Sequence, residues 1–110
     1  MDAQLLEHLR CKLLSHREVS LARRDRLSAQ RQELLQRSSL GPQEPSIDSS
    51  EAARLEGLGR LEDLTLARID ASLQRMAGGT YGTCARCHGA IETERLRAMP
   101  DVSFCSGCTR

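Results

Sequence analysis

Leucine recurs every seven residues over the first forty positions. Leu6, Leu13, Leu27 and Leu34 form one series with Ser20 in its gap. Leu14, Leu21 and Leu35 form a second, with Ser28 in its gap. Arg10, Arg17, Arg24 and Arg31 keep the same period on another face. Neither Pro nor Gly occurs between Asp2 and Ser39. A breaker-free heptad pattern predicts an amphipathic helix of coiled-coil type over about residues 2–39. At 1.5 Å per residue such a helix reaches roughly 50 Å. The arginine stripe reads either as a solvated face or as a docking surface for an acidic partner.

Gly41 and Pro42 end that pattern, as a glycine followed by proline does after a helix. The stretch to about residue 47 holds a second proline, Pro45, and reads as a turn. A second helix is predicted from Asp48 to about Ala77. Its apolar positions are Leu55, Leu58 and Leu61, then Leu66, Ile69, Leu73 and Met76. Gly57 and Gly59 weaken its middle by about 1 kcal/mol each relative to alanine. Gly78 and Gly79 stop it. Two helices joined by a short turn predict an all-α chain, an antiparallel coiled-coil hairpin over residues 1–77. So thin a structure needs a staple at its base.

Composition supports this picture. Aromatic residues make up only 2 % of the 110 residues, and both of them, Tyr81 and Phe104, lie in the last third. Leucine and alanine supply most of the apolar content, which favours helix over a thick core. Net charge is +1, too balanced for a chain that grips nucleic acid by phosphate neutralisation alone. The charge is nevertheless segregated. Residues 1–40 carry eight basic and five acidic side chains, residues 41–77 four and seven. Folded back on each other, the two halves attract. The N-terminus has neither a basic start nor a long apolar run, and the chain reads as cytoplasmic, with no membrane span.

The chemistry is in residues 78–110, where Cys84, Cys87, Cys105 and Cys108 form C-x2-C-x17-C-x2-C. Zinc prefers four thiolates in a tetrahedron, and each short C-x2-C turn brings two sulfurs to one ion. In a reducing cytosol such pairs are metal ligands before they are disulfides or free thiols. With no open coordination position the zinc is structural. Arg86, Arg95, Arg97 and Arg110 are placed to offset its thiolate charge. Thr93 is expected to cap a short helical turn, Arg95 to Met99, ended by Pro100. Ile91, Leu96, Val102 and Phe104 are expected to make a small core. His88 follows a ligand too closely to bind the same ion. Cys11 stands apart, an ordinary helix residue or a redox switch. No Ser/His/Asp set, phosphate loop or acid pair for hydrolysis is present, so an enzyme is not expected.

The run Ala77-Gly78-Gly79-Thr80-Tyr81-Gly82-Thr83-Cys84-Ala85-Arg86-Cys87, with Ile91, Arg95-Leu96, Ala98, Pro100, Cys105 and Cys108, resembles the DksA/TraR family of bacterial transcription regulators. The preceding Ile69–Met76 is also similar, and the resemblance covers about residues 48–108. It implies a protein that binds RNA polymerase and not a specific DNA sequence. It implies a helical hairpin that enters the polymerase's secondary channel and acts through its tip, in several members together with ppGpp. The prototype's tip motif, Asp-x-x-Asp-x-Ala, has its nearest counterpart here in Asp48, Glu51 and Ala53. Asp48 and Glu51 also fit a capping box at a helix start. The second helix is about one heptad shorter than the prototype's, or roughly 10 Å of reach. The prototype's extra N-terminal segment and its helix after the last cysteine have no counterpart, and His88 stands where glycine is usual.

Three functions therefore stand side by side. One is the polymerase-binding regulator. Another is a nucleic-acid-binding zinc finger, which calls for a basic finger with stacking aromatics. The third is a zinc-stapled module for some other protein partner.

Overall fold

A computed structural model describes residues 1–38 and 45–109, and of Ser38 and residues 45–49 the backbone alone. Two long helices, α1 (Ala3–Ser38) and α2 (Pro45–Gly78), precede a short α3 (Thr93–Ala98) and a 3-10 turn at Ser106–Cys108. Among the described residues there is no β-strand, only an isolated bridge between Thr83 and Ala90. No helix is long and apolar enough to cross a membrane.

The helix ends follow local chemistry. The Asp2 carboxylate accepts the Gln4 backbone N–H at 3.1 Å, which caps α1. The second helix begins at Pro45, three residues ahead of the Asp48 start that its sequence suggested. Proline is well placed there, because its fixed φ suits the first helical position and its missing N–H has no partner to lose. Residues 39–44, most of the expected turn, lie outside the described residues. At the far end of α2, Thr80 N–H donates to the Arg75 carbonyl and Gly79 N–H to that of Met76. Gly79 sits at φ +79°. This is a Schellman motif, which requires a left-handed residue just past the helix.

The chain divides into two compact units, Met1–Glu18 with Ala67–Arg110, and Val19–Leu66. In the first unit Leu9 and Leu13 of α1 and Ile69 of α2 share one buried cluster with Tyr81, Cys84, Ile91, Leu96 and Val102. Each fully buried leucine contributes about 1.5–3 kcal/mol. Two polar links fasten the segment after Gly78 to the helices. Lys12 Nζ donates to the Arg97 carbonyl at 2.6 Å, and Arg68 pairs with Asp101 at 3.3 Å. Ile91, Leu96 and Val102 are therefore core residues as expected, whereas Phe104 is 42 % exposed. Leu9, Leu13 and Tyr81 belong to that core and Phe104 does not. The Tyr81 hydroxyl donates to the Pro100 carbonyl at 2.8 Å.

The second unit is built differently. On α2 the inward positions Ala52, Leu55, Gly59, Glu62 and Leu66 keep heptad spacing, but only Ala52, Leu55 and Leu66 are buried apolar residues. Opposite them Ser20, the gap in the leucine series, is buried and donates its hydroxyl to the Glu62 carboxylate. Leu58 and Leu61, expected in the apolar seam, face outward at 37 % and 61 % exposure. The seam takes the 3–4 steps through Gly59 and Glu62, which turns Leu58 and Leu61 away.

The arginine stripe is neither simply solvated nor open to a partner. Arg17 pairs with Asp70 at 2.8 Å in the first unit. In the second, Arg24 pairs with Asp63 at 3.4 Å and Arg31 with Glu56 at 3.6 Å. In each rung the two residue numbers add to 87, as two antiparallel helices in one register require. Arg10 instead pairs with Glu7 on its own helix. The expected attraction between the halves thus becomes a ladder with a period of seven on both sides.

Candidate metal centre

The four cysteines come from two loops held by backbone hydrogen bonds. In the first, Cys84 N–H donates to the Gly89 carbonyl at 2.8 Å and His88 N–H to that of Cys84 at 3.0 Å. His88 sits at φ +63°, the left-handed region that a turn after C-x2-C imposes and that glycine fills without strain. In the second loop the 3-10 turn brings Cys108 N–H onto the Cys105 carbonyl at 3.0 Å. Ile91 N–H bonds the Gly82 carbonyl at 2.8 Å and Ala85 N–H that of Ser103, also at 2.8 Å. These bonds bring the two loops face to face.

The four sulfurs lie within 4.8 Å of one another, and Cys87 Sγ is 3.7 Å from Cys105 Sγ. Four sulfurs about 2.3 Å from a central zinc form a tetrahedron with edges of about 3.8 Å. A disulfide would need about 2.05 Å. All four thiols are free, which matches the first geometry and not the second. The four thiols are not equivalent electrostatically. Backbone N–H groups of Cys87 and Cys105 draw the buried Cys84 thiol down to about 6. Hydrogen bonding to Cys105, then burial, pushes the Cys108 thiol up to about 12. A divalent cation at the centre would satisfy all four as thiolates.

Of the arginines expected to balance this charge, Arg95 is the one whose side chain is seen bonded beside the cluster. Arg86 contributes its backbone N–H, 3.4 Å from Cys84 Sγ. Arg95 spans the second loop, from Nε to the Phe104 carbonyl at 3.0 Å and from Nη2 to Thr109 Oγ1 at 2.7 Å. Arg97 offers its carbonyl to Lys12, and Arg110 lies outside the described residues. Thr93 is not the cap of the short helix. It is the first residue of α3, and Glu92 holds the cap position. The Glu92 carboxylate turns to the second loop, accepting from Ser106 Oγ at 3.0 Å. His88 stays outside the sulfur cluster.

The chain is similar in fold to the transcription factor DksA2 from Pseudomonas aeruginosa, with a TM-score of 0.85 over 96 % of this chain and 80 % of that one, at 24 % identity. An uncharacterized protein of Aquifex aeolicus is 32 % identical over 98 % of this chain and 76 % of its own length. Residues 79–110 match the prokaryotic dksA/traR C4-type zinc finger. That segment is a C4 zinc finger of the DksA/TraR type. The finger and its gathered sulfurs mean that the chain carries a structural zinc.

Asp48, Glu51 and Ala53, which the resemblance suggested as a tip, fall in the second unit. Asp48 is the fourth residue of α2, and its side chain lies outside the described ones. Because the helix starts at Pro45, Asp48 is not its cap, and the capping-box reading of Asp48 and Glu51 fails. Glu51 meets Arg54 in a two-point contact, to Nε at 3.0 Å and to Nη2 at 2.5 Å. Those hydrogen bonds hold its carboxyl below the usual carboxylate range. Ala53 is exposed. Sequence reasoning missed Leu9 as a core residue and Asp70, Asp63 and Glu56 as ladder partners. The acids were detectable, since they repeat by seven on α2 as the arginines do on α1.

Proposed function

We propose that the chain is a DksA-like transcription regulator, not an enzyme. It binds RNA polymerase and acts through the secondary channel with the tip of its hairpin. In this reading Cys84, Cys87, Cys105 and Cys108 ligate one zinc, which closes the core of the first unit. Asp48, Glu51 and Ala53 are the tip residues that meet the polymerase. One observation carries the proposal. A single chain joins the family's C4 finger to the fold of a transcription factor over 96 % of its length. With Asp48 inside the helix, the acids are also free of the capping role that competed with tip function.

Transcription in vitro from several promoters, with the purified chain added to RNA polymerase and with ppGpp present or absent, tests it. Wild type should shift promoter output. Asp48→Asn with Glu51→Gln should abolish the shift while circular dichroism shows unchanged helix. No binding to polymerase and no effect on output would defeat the proposal. Cytoplasmic fractionation and recovery with polymerase are the matching results in cells.

A further inference from the structure

The two cysteine loops are held by different means. The first closes on its own backbone, through Cys84 N–H to the Gly89 carbonyl, His88 N–H to the Cys84 carbonyl and Ile91 N–H to the Gly82 carbonyl. Its Cys84 is fully buried and is part of the core cluster. Inside the second loop the backbone supplies the bond from Cys108 N–H to the Cys105 carbonyl. Much of the remaining hold on that loop comes from two side chains at the start of α3.

Glu92, at the cap position, uses both carboxylate oxygens on one residue. One accepts from Ser106 N–H at 3.4 Å and the other from Ser106 Oγ at 3.0 Å. Arg95, about one turn further on, donates from Nε to the Phe104 carbonyl at 3.0 Å and from Nη2 to Thr109 Oγ1 at 2.7 Å. Thr109 Oγ1 donates in turn to the Cys105 carbonyl at 2.7 Å. The points of attachment at 104, 106 and 109 bracket both Cys105 and Cys108. A planar guanidinium reaches two sites at once, which an ammonium does not.

A loop that is ordered before its ligand arrives loses less conformational entropy on binding. Partners that orient metal-binding side chains act in this way on affinity. We infer that Glu92 and Arg95 are positioning residues for the zinc. They hold Cys105 and Cys108 ready, so that Cys84 and Cys87 take the ion first and give it up last. The inference rests on the reading that the four cysteines share one ion. On release the zinc–sulfur bonds to Cys105 and Cys108 break first. Donor atoms of an incoming chelator fill the two positions, and each freed thiolate takes a proton from water.

Transfer of zinc from the loaded full-length chain to an excess of the chromophoric chelator 4-(2-pyridylazo)resorcinol tests this, with helix content followed by circular dichroism. Glu92→Ala and Arg95→Gln should speed transfer about tenfold or more. Arg95→Lys keeps the charge but not the two-sided reach, and should be nearly as fast as Arg95→Gln. Thr109→Val and Ser106→Ala remove receiving groups without touching α3 and should each speed transfer severalfold. Lys12→Gln cuts the tie from α1 to the Arg97 carbonyl, away from the loop, and should leave the rate as in wild type. A short pulse of N-ethylmaleimide, read by peptide mass spectrometry, gives the order. Cys11 is exposed and free and serves as the labelling reference. In the Glu92 and Arg95 variants labelling should rise at Cys105 and Cys108 and stay at the wild-type level at Cys84 and Cys87.

Wild-type transfer rates in Glu92→Ala and Arg95→Gln would overturn the inference and leave the four-cysteine site standing. A wild-type rate in Arg95→Lys would mean that the arginine acts by charge alone, which also overturns it. Equal labelling gains at all four cysteines, or an equal speeding by Lys12→Gln, would mean that the finger opens as a whole and in no order. A wild-type chain that holds no zinc would end this inference together with the ligand assignment.

Discussion

The same two helices are packed in two ways. In the first unit they bury Leu9, Leu13 and Ile69 in one cluster with the finger. In the second they pass through Ser20, Gly59 and Glu62, and much of the attachment is ionic. The difference follows from what each unit is fastened by. A metal ion and a shared core make the first a cooperative body. The second has no such anchor, and its register is specified by charge. Exposed pairs of this kind are worth about 0.2–1 kcal/mol each and are screened by salt. They choose an alignment more than they supply stability.

Removing the metal should separate the units most. Structural zinc contributes apparent binding free energies of about 10–16 kcal/mol in finger peptides, so chelation or Cys84→Ser should melt the first unit. Circular dichroism with metal analysis checks this, and a first unit that keeps its full helix signal without zinc would contradict it. Next in size is Leu9→Ala, which should cost about 2–5 kcal/mol in urea unfolding. The same truncation at exposed Leu61 should change stability by less than about 0.5 kcal/mol.

Tyr81 gives the first unit a pH limit. Burial pushes its hydroxyl up to about 12 from an ordinary 10. The unfolded chain therefore loses that proton first. Stability is unaffected below pH 10 and falls as pH rises toward 12. Tyr81→Phe should remove this alkaline contribution and cost about 1 kcal/mol at neutral pH through the lost bond to Pro100.

The second unit should respond in the opposite direction to filling. Nothing lies within 4 Å of a Cβ placed on Gly59, so Gly59→Ala should stabilise by about 1 kcal/mol. The smallest effect is at a rung. Asp63→Asn should cost no more than about 1 kcal/mol at low salt and almost nothing at 1 M salt. Thermal melts at two ionic strengths read both variants.

Much of this was legible in the chain itself. C-x2-C spacing located the sulfur cluster, heptads located the helices, and the glycine pair at 78–79 located the end of α2. What escaped depended on which neighbour wins a place. Phe104 is apolar, yet Tyr81 and the α1 leucines fill the core ahead of it. Leu58 and Leu61 have helical spacing, yet the heptad runs through Gly59 and Glu62, which no hydrophobicity pattern would select. Pro45 read as part of a turn because the same residue favours turns and first helical positions alike. His88 read as an oddity until its backbone showed a left-handed turn.

A ladder that repeats every seventh residue on both helices makes the length of this arm a quantised trait. Taking one rung away without breaking the others requires seven residues from each helix, matched across the turn. A deletion in one helix that is not a multiple of seven rotates every later arginine off its acid. Changes of arm length that keep the remaining rungs therefore come in steps of about 10 Å per helix.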